Sequence, residues 1–151
     1  MLDFDATRRW NDWANRVVYA VLQESRGRPQ EALAAFQHVL ETEITWLRRI
    51  HRYPSPNVPL WGVPSFSTCT VYLDESRELV AALTTERLDE PFSYQNSRGQ
   101  TFKDLTRTAL GHMFLHSSQY RGEAAGFLNA AGHPVPDLDL IFWLRRQPPP
   151  G

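Results

Sequence analysis

Residues 53–68 read YPSPNVPLWGVPSFST, with four prolines and one glycine. Proline lacks an amide hydrogen, fixes its own φ and pushes the preceding residue out of the helical region, so no helix or central strand passes through this stretch. It is too long for a turn and long enough to cross the whole molecule. Regular structure is therefore confined to two blocks, and the second block can start from the end of the molecule opposite to where the first one stopped.

Each block carries apolar residues at helical spacing. Before the proline segment, Trp10, Trp13, Ala14, Val17, Val18, Val21 and Leu22 mark a helix from about Asp5, its expected cap, to Ser25. RGRP (26–29) stops it, and Pro29 suits the first position of a second helix over 29–52. At about 100° per residue, Leu33, Phe36, Val39, Leu40, Ile44, Trp46, Leu47 and Ile50 share one arc. The short gap makes these two helices antiparallel neighbours. After the proline segment, a third helix is expected from about Thr70 to Glu86, with a stripe of Val71, Tyr72, Leu79, Val80 and Leu83. FSYQNSRGQTF alternates around NSRG and predicts a small hairpin. A fourth helix opens at Asp104 or Thr106 and runs to about Ala131, stopped by Gly132. The segment DLDLIFWLRR is either a helical turn or an extended strip on the core, and RRQPPPG is a frayed end. The sum is an all-α, single-domain chain over 1–151, a four-helix bundle in up-down-down-up order with one long crossover and a hairpin before the last helix.

Composition narrows the function classes. Net charge is -1, and the arginines are scattered, with Lys103 the only lysine, which gives no footprint for nucleic acid or an anionic membrane. No segment reads as a membrane span or signal peptide, so the expected location is the cytoplasm. Cys69 alone excludes an intrachain disulfide and reads as a small buried hydrophobe. Glycine-rich phosphate loops and the nucleophile elbow of serine hydrolases are absent from the sequence.

Chemistry concentrates in HMFLHSSQYRG, residues 112–122. His112, His116 and Tyr120 advance by about 40° per step of four on a helix and share one face. A His-x-x-x-His pair can bind one divalent ion, provided a further ligand comes from another helix. His38 is the candidate, with Glu41 and Glu43 nearby in sequence. Against this, histidines four apart also occur as ordinary packing residues. His38 lies opposite the apolar arc, beside Ala34, Ala35, Thr42 and Thr45, on a face that is either solvent-exposed or open enough for a cleft. His51 and His133 sit at helix ends as solvated or capping residues, and Trp61 either covers a pocket mouth or buries its own loop.

The last third of the chain, from YQNSRGQTF through LGHMFLHSSQYRGEAAGFLNAAGHPVPDLDLIFWLR, resembles the DinB family of metal-binding four-helix bundles. HVLETEITWLRRI is similar to that family's second-helix segment, with His38 eight residues before Trp46-Leu47, and WNDWANRVV to its first-helix pattern, with Asn11 and Asn15 in place. The resemblance spans essentially the whole chain. It implies an up-down-down-up bundle and a divalent ion, zinc or nickel, held by one histidine from the second helix and two from the fourth. Here those positions are His38, His116 and Tyr120, so the third ligand is a phenol where the family has an imidazole. A neutral phenol is a poor ligand, and an ion would have to draw its ionisation down by roughly three pH units to bind tyrosinate near pH 7. His112 replaces it only if the ion moves about 6 Å along the helix. Arg121 is read as a structural ion-pair partner and Gly122 as permitting close helix approach.

The resemblance implies either a metal-dependent hydrolase or transferase acting on a low-molecular-weight thiol, or a non-catalytic, ligand-binding or homodimeric stress-response protein without metal. The family name reflects induction after DNA damage and implies no chemistry on DNA.

Overall fold

The computed structural model describes residues 3–148, so the end of the RRQPPPG tail lies outside the described residues. The fold is mostly helical, with one two-stranded hairpin: α1 (Phe4–Glu24), α2 (Gln30–Ile50), α3 (Phe66–Ala81), a 3₁₀ turn (Thr85–Asp89), β1 (Pro91–Gln95), β2 (Thr101–Leu105), α4 (Thr106–Ala130) and a short α5 (Leu140–Arg145). No helix among the described residues is long and apolar enough to cross a membrane.

Several boundaries move from their expected places, each for a local reason. The cap of α1 is Asp3, not Asp5: the Asp3 carboxylate accepts the Ala6 amide at 2.7 Å, while Asp5 lies in the first turn and pairs with Arg8 and Arg9. Pro29 precedes α2 with an extended ψ of 155° and is not its first helical residue. Ser65 caps α3 by accepting from the Thr68 amide, so this helix begins four residues before Thr70 and ends at Ala81. Its buried stripe is Cys69, Leu73, Ser76, Leu79 and Val80, and Val71 is 60% exposed. The hairpin pairs β1 and β2 antiparallel, with Phe92 opposite Asp104 and Tyr94 opposite Phe102. Asp104 is therefore a strand residue, and α4 begins at Thr106. Gly132 ends α4 at φ +83°, where the next amide bonds Leu128 O, as its sequence position predicts. Gly122 fails its expected role, since a Cβ there would meet nothing within 4 Å. Of the two options for the last segment, the helical one forms, and Trp143 packs with Trp10 and Ala14.

α2 is the central element: sixteen of its 21 residues are buried, far beyond the single expected arc. Its first half (Leu33, Phe36, Leu40) packs with Val18 and Leu22 of α1, Cys69 and Leu73 of α3, and Ala124 and Leu128 of α4. Its second half (Leu47, Ile50) packs with Leu79 and Val80 of α3 and with Leu110, Met113 and Phe114 of α4, with Phe4 of α1 against the same cluster. His51 at the helix end is half-buried, its Nε2 lying 2.8 Å from Leu79 O.

Between these apolar clusters lies a polar one. Glu43 of α2 is fully buried. Its Oε1 accepts from Asn11 Nδ2 (2.8 Å), Asn15 Nδ2 (3.0 Å) and Ser117 Oγ (2.7 Å), and its Oε2 accepts from Ser76 Oγ (2.7 Å). The carbonyl oxygens of the same two asparagines accept from Arg121 Nη1, each at 2.8 Å. Arg121 is thus not the direct ion-pair partner expected. Two amides relay between its guanidinium, which lies over the Trp10 ring, and the carboxylate. Burial lowers its pKa to about 10, against the opposing pull of Glu43. Removing one member of such a network leaves the others desolvated without partners. Glu43→Ala is expected to destabilise the fold by about 3–5 kcal/mol, since it leaves four buried donors without their acceptor and the Arg121 charge without its carboxylate. Ser76→Ala, which removes one bond to a charged acceptor, should destabilise it by about 1.5–3 kcal/mol. Urea denaturation of both variants checks the ranking.

Candidate functional site

Helical spacing places the three fourth-helix residues in one row. His112 and His116 have ring centroids 6.0 Å apart, and His116 and Tyr120 4.6 Å. α2 brings His38 to the upper part of this row, 5.2 Å from His116 and 4.7 Å from Tyr120. His112 stays outside this group and packs against Trp46 at 5.3 Å. The structure therefore assembles His38, His116 and Tyr120 and leaves His112 one turn away.

The face carrying His38 is not open to solvent. The proline-rich crossover folds over it, and the Trp61 indole stacks on the imidazole with centroids 3.9 Å apart and planes within 8°. The same indole meets Tyr120 edge-on at 5.6 Å. Trp61 has φ +57°, a left-handed conformation that is unfavourable for a side chain of its size by about 1–2 kcal/mol. Glu41, one turn after Gln37 on α2, holds it there. The carboxylate accepts the Trp61 amide at 2.6 Å and the Gly62 amide at 3.0 Å. Gln37 extends the anchorage, donating to Glu41 and to Val63 O and accepting from the Ser65 amide. Gly62 suits this close approach, because a Cβ there would stand 2.9 Å from Glu41 Oε1. Burial alone would raise the Glu41 pKa, but contacts with His38, Gln37 and the two loop amides outweigh it and hold the carboxyl below the usual range.

Glu43, the other carboxylate near His38 in sequence, points away from this cleft into the polar cluster of the core. The side chains available to an ion are thus two imidazoles and a phenol, with Glu41 Oε2 3.8 Å from His38 Nδ1. Among the described residues, no three His, Cys, Asp or Glu side chains converge as a cation site. Yet Nδ1 of His38 and Nδ1 of His116 are both buried without a hydrogen-bond partner among the described residues. Unpartnered buried nitrogens are unfavourable unless something binds them. Burial, then the neighbouring His38 and His112, lowers the His116 pKa to about 4, so its ring is neutral at pH 7, the form that binds a metal.

The latch formed by Glu41 and Gln37 has no signature in sequence, because its partners lie 20 or more residues away. Cys69 is buried, and burial pushes its thiol up to about 12, which disfavours the thiolate at neutral pH. No protein-family model, curated protein or solved structure matches the chain.

Two outcomes follow from this geometry. In chelator-treated protein, the His116 ring should titrate by NMR with a midpoint near 4, and His38→Gln should raise that midpoint. The unfolded chain takes up this proton near pH 6.5, so the contribution to stability is present above about 6.5 and is lost as pH falls toward 4. Trp61→Ala should leave the fold intact and increase the rate at which an imidazole-acylating reagent modifies His38, read by mass spectrometry.

Proposed function

We propose that the chain is a DinB-like four-helix bundle that binds one divalent ion, zinc or nickel, weakly at His38 and His116, with Tyr120 as the poor third ligand. The order up-down-down-up, with the proline-rich segment as its one long crossover, is part of this reading. It is supported by the way the clusters are shared: the start of α2 packs with the end of α1, the start of α3 and the end of α4.

The observation that carries the metal reading is the pair of buried, unpartnered Nδ1 atoms on rings whose centroids are 5.2 Å apart. Two imidazoles bound tetrahedrally to one ion at about 2.0–2.1 Å have centroids about 5 Å apart, so the separation of the rings is compatible with this donor set. The phenol of Tyr120 completes it poorly, which makes the site weak. An ion held there would acidify a bound water or a low-molecular-weight thiol, the chemistry of a hydrolase or thiol transferase. The protein supplies the rest: His116 stays neutral, Tyr120 offers a hydroxyl to a bound group, and Trp61 keeps water from His38 until the crossover lifts.

A second reading has its own observation. With Trp61 stacked on His38, the cleft is filled by the protein's own side chain, as suits a non-catalytic protein without bound metal.

Calorimetric zinc titration of untagged protein separates the two. The metal reading expects about one ion per chain, lost in His116→Ala and bound about tenfold or more tightly in Tyr120→His, since an imidazole replaces a neutral phenol. If neither the natural protein nor Tyr120→His takes up zinc or nickel, the metal reading fails and the second one stands.

A further inference from the structure

Several arginines have an acidic partner: Arg48 pairs with Glu75, Arg77 with Asp12 and Arg107 with Asp89. Arg49 is different. It is buried, 8% exposed, and makes no ion pair among the described residues. Its guanidinium lies over the Trp46 ring at 4.9 Å and the Tyr94 ring at 5.1 Å. Nε and Nη2 both donate to one neutral acceptor, Asn57 Oδ1, at 3.0 and 2.8 Å. The charge is held in place by aromatic faces and an amide, and no carboxylate pairs with it among the described residues.

This guanidinium borders a pocket of about 630 Å³ between the start of the crossover and the hairpin. Arg52 stands at its rim, and Tyr53, Ser93 and Thr101 supply hydroxyls, while the Tyr94 hydroxyl already donates to Asp104 at 2.8 Å. No aspartate or glutamate lines it. In a chain with 17 acidic and 16 basic residues, an acid-free pocket bordered by two arginines is a local excess of positive charge. Burial acts against the Arg49 charge and lowers its pKa, so a bound anion would relieve that penalty.

We propose that this pocket binds the oxyanion group of a small organic acid or phosphate ester, with Arg49 as its buried anchor and Arg52 at its mouth. A planar guanidinium fixed by two rings is pre-organised for an oxyanion, and its neutral partner Asn57 leaves the charge available. The hydroxyls around it can donate to the remaining oxygens. The site is independent of His38 and His116, which lie on the far side of Trp46 and His112 from it along the aromatic row.

The test uses the full chain and NMR of the arginine Nε–Hε resonances. Sodium phosphate and sodium acetate are titrated separately, each at ionic strength held constant with chloride. The Arg49 resonance is expected to shift saturably with at least one of them; phosphate alone indicates a tetrahedral oxyanion and acetate alone a carboxylate. Arg52→Gln alters only an exposed side chain and should weaken binding about tenfold, as expected for one lost charge-assisted contact. Arg49→Lys keeps the charge, loses the fork and should weaken it at least as much, read from the Arg52 Nε–Hε resonance in that variant. His116→Ala should bind as the natural protein does. The proposal is overturned if neither anion gives a saturable shift beyond the chloride control, or if both arginine variants bind unchanged.

Discussion

One buried carboxylate governs the arrangement of the helices. Glu43 accepts hydrogen bonds from α1, α3 and α4 while belonging to α2, so a single side chain touches every long helix. Apolar packing tolerates small rotations of a helix about its axis, but a desolvated carboxylate with four donors does not. Turning α2 by one residue would strand Glu43 and, through Asn11 and Asn15, Arg121 as well. The rotation fixed in this way points Gln37, His38 and Glu41 away from the core and under the crossover. The polar cluster thus determines which face of α2 becomes the cleft.

The sequence carried more of the fold than of the site. Apolar periodicity located the four long helices, prolines located the irregular segment between α2 and α3, and NSRG located the hairpin, because each of these signals is local. Asp3 and Ser65 show where that reasoning slips: both caps stand a few residues before the first apolar residue of the stripe, where periodicity is silent. Val71 was misplaced because Cys69 and Ser76, small or polar, complete the true stripe of α3. At the site, the row of His112, His116 and Tyr120 was legible from spacing alone. The burial of His38 was not, because what covers it is a loop residue 23 positions later in the chain, Trp61, whose left-handed backbone follows from contacts with Glu41. Glu41 and Glu43 look equivalent in sequence, yet two residues on a helix turn one carboxylate to the loop and the other to the core.

The cleft and the arginine pocket are ends of one continuous aromatic row. Trp46 contacts His112 on one side and Tyr94 on the other, and Arg49 lies over both Trp46 and Tyr94. Imidazole and phenol groups at one end and a guanidinium at the other give the α2–α4 seam a polarity along its length.

The anchorage of the crossover has an energetic corollary. The amides of Trp61 and Gly62 are consecutive, both bond the same carboxylate, and the indole attached to the first of them rests on an imidazole one turn away on the same helix. Lifting this segment from α2 would have to break both amide bonds as well as the contact of the indole with His38. Uncovering the His38 imidazole therefore means giving up two hydrogen bonds to a carboxylate and a ring stack at once.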